Sequence, residues 1–131
     1  MRFGAIGAAV LLLAGCGRTA PPDLSGSWQP EAAGQEAMTV EHRDPELRVR
    51  RGASSFEYAT DGSETCNVVD GWMVCSRARW DGPFLQIDST IKGEKGDRQE
   101  SERWSLARDG GTLTVQRGLP QARTALVYRR R

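Results

Sequence analysis

Histidine is almost missing from this chain: of 131 residues only His42 carries an imidazole. The lone ring leaves no histidine pair to hold a metal, and there is no Gly-x-Ser-x-Gly elbow and no glycine-rich loop to cradle phosphate. The chain is therefore expected to bind rather than to catalyse, with no metal and no cofactor. An excess of charge is missing too. Lys and Arg total 18 against 17 Asp and Glu, so no strong field points to nucleic acid. Only two of those bases are lysine, which reads as a compositional habit without functional weight. Long apolar runs are missing after residue 13, where nothing approaches the roughly 20 residues that a membrane-spanning helix needs. No stretch has the spacing of a long helix.

What is present begins with the leader. Met1-Arg2 puts one positive charge ahead of an apolar run from Phe3 to Leu13, about eleven residues, the length of a signal-peptide core. Leu13-Ala14-Gly15-Cys16 closes it, with a cysteine directly after the small pair. This stretch resembles the lipobox of bacterial lipoproteins. The resemblance implies removal of residues 1–15, acyl chains on Cys16, and a lipid-anchored protein of the cell envelope, on the periplasmic face of the outer membrane. The competing reading is a plain secretory signal followed by a chance cysteine. Residues 16–23, with Pro21-Pro22, read as a short extended tether, and 24–131 as a single domain.

Two cysteines remain, Cys66 and Cys75, an even number for an oxidising compartment. Between them Asp70-Gly71 is a preferred pair for a type I′ hairpin turn. A turn there pairs Val69 with Trp72, Val68 with Met73, Asn67 with Val74 and Cys66 with Cys75. Counting outward, the thiols fall on a non-hydrogen-bonded site with Cα atoms about 4.5 Å apart, just inside what a disulfide accepts. A structural disulfide outweighs a redox switch or a metal pair.

The rest of the chain alternates apolar and polar residues with period two between turn signals. Met38 and Val40, Leu47 and Val49, and Phe56 and Tyr58 mark three short strands. Trp72, Val74, Ser76, Ala78 and Trp80 share one face of a long one. Leu85 and Ile87 follow, with Phe84 and Asp88 opposite. Then come Glu100, Glu102, Trp104 and Leu106, a strand that starts exposed and becomes buried. Leu113 with Val115, and Thr124 to Tyr128, complete the series. Turn signals every eight to fifteen residues predict an all-β antiparallel meander of about 8–10 short strands, each paired with the next. Open edges are costly in so small a domain, so the sheet should close, or nearly close, into a small barrel.

Gly26-Ser27-Trp28 at the start and arginines after the last strand resemble the lipocalin or calycin pattern. That resemblance implies a first-strand tryptophan packed beneath a late arginine, with Arg129 as the partner of Trp28. The stretches Leu24–Trp28, Ser76–Gly82, Glu102–Leu106, Asp109–Arg117 and Val127–Arg129 are similar to a broad set of small exported bacterial domains of unassigned function. That similarity implies a shared fold and brings no catalytic residues.

Several residues invite a chemical reading. For His42, a surface or capping role outweighs a catalytic base. Glu100 and Glu102 could be imagined as a carboxylate pair, but rim glutamates beside arginines are ordinary surface pairs. Arg48, Arg50, Arg51 and Arg129–Arg131 could rest on anionic headgroups, although a solvated face balanced by acids is the simpler reading. Trp28, Tyr58, Trp72, Trp80 and Trp104 are candidate ligand contacts, with core filling the commoner role of such tryptophans. A ligand site would need a cavity with groups such as Tyr58, Arg79 or Glu102 aimed into it. The expected function is binding of a small apolar ligand or an envelope component, with a protein-interaction module built on a filled barrel as the alternative.

Overall fold

The computed structural model describes residues 20–119 and 121–131. The expected leader, Cys16 and the first half of the tether lie outside the described residues. Ten strands account for most of the described chain: β1 (Gly26–Pro30), β2 (Met38–Arg43), β3 (Glu46–Arg51), β4 (Ser54–Ala59), β5 (Asp61–Val69), β6 (Trp72–Asp81), β7 (Phe84–Ile91), β8 (Arg98–Leu106), β9 (Thr112–Leu119) and β10 (Ala122–Arg130). All pairings are antiparallel, and no helix occurs among the described residues.

The order around the sheet is β4-β3-β2-β1-β10-β9-β8-β7-β6-β5. First and last strands pair, so the meander closes on itself at β1 and β10. The exception to pairing in sequence is β4 with β5, which stand side by side without a hydrogen-bonded ladder. Asn67 bridges this seam. Its side-chain oxygen accepts the backbone N–H of Glu57 at 3.0 Å, and its amide nitrogen donates to the Glu57 carbonyl at 3.0 Å, replacing one rung of a ladder.

Alternation decides what fills the barrel. Met38, Val40, Leu47, Val49, Ala78, Leu85, Ile87, Trp104, Leu113, Val115 and Tyr128 point inward from seven strands and are buried, joined by Leu24 and Trp28. Burying such side chains contributes roughly 1.5–3 kcal/mol each before entropy is counted. The β5–β6 hairpin has the register that its turn chemistry predicts, from Val69↔Trp72 to Cys66↔Cys75. Asp70 and Gly71 both take positive φ, 51° and 83°, as a type I′ turn requires. The disulfide is formed, with Cα atoms 4.0 Å apart.

The partner of Trp28 is Arg130, not Arg129. The Arg130 guanidinium lies 4.4 Å from the Trp28 ring centroid, and Arg130 also donates to the Ser25 carbonyl. Register explains the one-residue shift. Trp28 pairs with Arg130 across the ladder, so the two share the inner face, while Arg129 faces outward and meets Glu31. Gly26 makes room: a Cβ there would sit 2.6 Å from an Arg130 nitrogen.

Candidate functional site

Turns of a closed meander alternate between its two ends, and here the ends differ. One end holds the start of β1, the turns at 44–45, 60, 82–83 and 107–111, and the end of β10. It is closed by polar ties centred on Asp44, whose Oδ1 accepts from His42 Nε2 at 2.8 Å, Thr60 Oγ1 at 2.7 Å and Trp80 Nε1 at 3.1 Å. Burial pushes the Asp44 carboxyl up, but these three donors outweigh it and hold the group below the usual carboxylate range. His42 Nδ1 takes the backbone N–H of Leu24 at 3.1 Å, so both ring nitrogens are committed. The ring acts as a cap.

The opposite end is open. A cavity of about 1320 Å³ runs into the barrel there, above the usual range of roughly 300–1000 Å³ for small-molecule sites. Its apolar wall comes from Phe56, Val69, Trp72, Val74 and Ile91, with Met73 at the mouth and Tyr58 also in the lining. At its base Arg51, Glu102 and Arg117 meet. Each follows or precedes a buried residue by two positions, next to Val49, Trp104 and Val115, so strand parity aims all three inward. Arg51 donates to both Glu102 oxygens, at 3.4 and 3.2 Å. Arg117 Nε donates to Glu102 Oε2 at 2.9 Å, and Trp104 Nε1 to Oε1 at 3.0 Å.

Two guanidiniums thus share one carboxylate, leaving one unit of positive charge inside the barrel. Burial pushes the Glu102 carboxyl up, but Arg51 and Arg117, with the hydrogen bonds from Arg51 and Trp104, hold it below its ordinary value. Arg51 is pushed down by burial and more than restored by Glu102, and it sits 5.8 Å from both the Phe56 and Trp104 ring centroids. Burial, reinforced by Glu102, pushes the Tyr58 phenol up, so it stays protonated as a hydrogen-bond donor. Arg117 differs from Arg51 in exposure: its side chain is 42% exposed against 15%. Among the described residues only its Nε is engaged, and the residue lines the cavity.

The five aromatic candidates do not form one cluster. Tyr58 and Trp72 line the cavity. Trp28 and Trp104 are fully buried in the core, and Trp104 reaches the site only through its hydrogen bond to Glu102. Trp80 belongs to the closed end, on Asp44 and 5.9 Å from the His42 ring centroid. Arg79 is exposed on the outer face. Glu102 is not a rim glutamate and Arg51 is not part of a surface patch: both are turned into the barrel, whereas Arg48 lies outside between Glu41 and Glu57. Arg117 and Phe56 drew no functional expectation from the sequence. Their inward parity was the available signal, obscured for Arg117 because a charged residue at a strand end is ordinarily placed in solvent.

No protein-family model and no curated protein matches the chain. Solved structures do. The chain is similar in fold to "REP1-NXSQ fatty acid transporter", with a TM-score of 0.61 and 12% identity over 82% of this chain and 96% of that one. It is likewise similar to the Y128F mutant of that protein, with a TM-score of 0.61 and 10% identity over 82% and 98%. At such identities the likeness is one of fold: a small, nearly closed antiparallel barrel of the calycin kind.

Proposed function

We propose that this barrel binds a single-chain amphiphile with a monoanionic head, and does so in the bacterial cell envelope, held there by acyl chains on Cys16. One observation carries the reading: a half-open cavity with apolar side chains along part of its wall contains an Arg51–Glu102–Arg117 set with one positive charge to spare. An alkyl chain would lie against Phe56, Val74 and Ile91, and the head would take the terminal amino groups of Arg117. A single negative charge neutralises the Arg51–Glu102–Arg117 set; a dianion would overshoot it. The structural neighbours, titled fatty acid transporters, support a ligand of this class. An open cavity of this size speaks for a ligand over a filled interaction module. The commitment of both His42 ring nitrogens supports a capping role for that residue over a catalytic base.

Titration with oleate and with oleyl alcohol tests the proposal. The protein should bind oleate more tightly, and Arg117→Ala should remove most of that preference. A charge-assisted hydrogen bond contributes about 1.5–3 kcal/mol, so the loss for oleate is roughly 10–100-fold. Equal affinity for acid and alcohol in the unaltered protein, or no binding of either, would overturn it.

A further inference from the structure

Val68, Trp72 and Met73, respectively 68%, 54% and 44% exposed, are the large hydrophobic residues left in solvent among the described residues. All three lie on the tip of the β5–β6 hairpin, and they occupy both of its faces. Val68 and Met73 pair across the outer face, continuous with the Cys66–Cys75 disulfide, while Val69 and Trp72 pair across the inner face at the cavity mouth. A flat protein partner would cover one face of such a finger and leave the other wet. A phase that surrounds the tip covers both.

The charges beside the tip narrow the choice of phase. Both lysines of the chain stand on the adjoining β7–β8 loop, whose Lys92 N–H donates to the Met73 carbonyl at 2.9 Å. They do not make a basic patch. Lys92 faces Asp97 at 3.7 Å and Arg98 faces Glu100 at 3.4 Å, with Lys95 beside Glu94 and Asp70 at the turn itself. The rim carries both signs in near balance. An anionic surface gains little from it, whereas a zwitterionic headgroup layer meets charges of either sign. Tryptophan at the tip suits that boundary, since an indole is apolar in body and polar at its N–H.

We infer that the β5–β6 tip is a lip that dips into a zwitterionic phospholipid surface, with Trp72 at the acyl boundary. The surface is separate from the arginine base of the cavity and does not require the proposed ligand. The test places the full chain on phosphatidylcholine vesicles whose acyl chains are brominated and reads tryptophan emission. Trp28 and Trp104 are buried and Trp80 is at the far end, so the quenched component should belong to Trp72 and vanish in Trp72→Phe. Val68→Ser, at an exposed position outside the cavity lining, should reduce quenching while the melting temperature and oleate affinity stay unchanged. Phosphatidylglycerol vesicles should give no stronger signal.

Unquenched emission, quenching that survives in Trp72→Phe, or quenching strengthened by phosphatidylglycerol would overturn the inference. So would a concentration-dependent dimer abolished by Val68→Ser, because the tip would then be covered by a second copy. Loss of oleate binding with quenching intact would strike the ligand proposal alone.

Discussion

Arg117 and Arg51 differ in what they give up. Arg51 is buried and donates to both oxygens of Glu102, so it belongs to the folded framework; Arg117 is more exposed and gives Glu102 only its Nε, and on the proposed function its other two nitrogens would meet the ligand. Glu102 links the two roles. Its carboxylate is the internal competitor of any anion at the base, and its loss leaves guanidiniums without a counter-charge. Glu102→Gln should therefore destabilise the free protein by about 3 kcal/mol, as breaking a largely buried ion pair does, while tightening oleate binding. Denaturant unfolding and the oleate titration check the two halves. The same residue sets an acid limit. Its folded pKa is depressed, so its contribution to stability is complete above the ordinary carboxylate value of about 4.3 and is lost as pH falls through the lower folded value. Unfolding curves between pH 6 and 3 should fall more steeply for the unaltered protein than for Glu102→Gln.

The β5–β6 hairpin is the element on which seam, cavity and lip converge. Its inner face brings Val69, Trp72 and Val74 to the cavity, and Asn67 ties it to β4 where the ladder is missing. The disulfide closes a short loop, its ends nine positions apart in sequence, for which the chain-entropy account gives about 2–3 kcal/mol. Replacing both cysteines by serine should cost that much in denaturant unfolding and leave the barrel folded. Asn67→Ala removes two exposed hydrogen bonds, each contributing about 0.5–1.5 kcal/mol. The expected result is a loss of roughly 1–2 kcal/mol, with faster hydrogen exchange at the Glu57 amide than at amides of the β2–β3 ladder. Exchange at Glu57 unchanged by the substitution would show that something other than Asn67 shuts the seam.

At the scale of the whole molecule, what was legible in the sequence is what is local. Period-two alternation set the strands, Asp70-Gly71 set one register, and that register put Cys66 opposite Cys75. The break between β4 and β5 was not legible, because turn signals mark where strands end and say nothing of whether neighbours bond. The sequence does not separate Arg129 from Arg130 as the partner of Trp28, because closure of β1 on β10 sets which residue faces inward, and a slip of one flips every side chain. The arginines of the cavity base were missed because their inward aim opposes the usual preference of charge for water. Closure also fixes where the proposed anchor attaches. The chain enters the barrel at the closed end, where Leu24 is buried, opposite the cavity mouth. Cys16 stands eight residues before Leu24, a reach of at most about 29 Å, close to the length of roughly 33 Å expected for the ten residues of β6. A barrel on such a tether can lie on its side, with acyl chains and lip in one membrane. The two proposed contacts would be unequal: each buried methylene of an acyl chain contributes about 0.8 kcal/mol, so on these proposals acyl chains would hold the protein and the lip would orient it. Cys16→Ser should accordingly move the protein from the membrane fraction to the soluble one, whereas Trp72→Phe should leave it sedimenting with membranes. Fractionation reads both, and membrane retention of Cys16→Ser would contradict the acyl anchor.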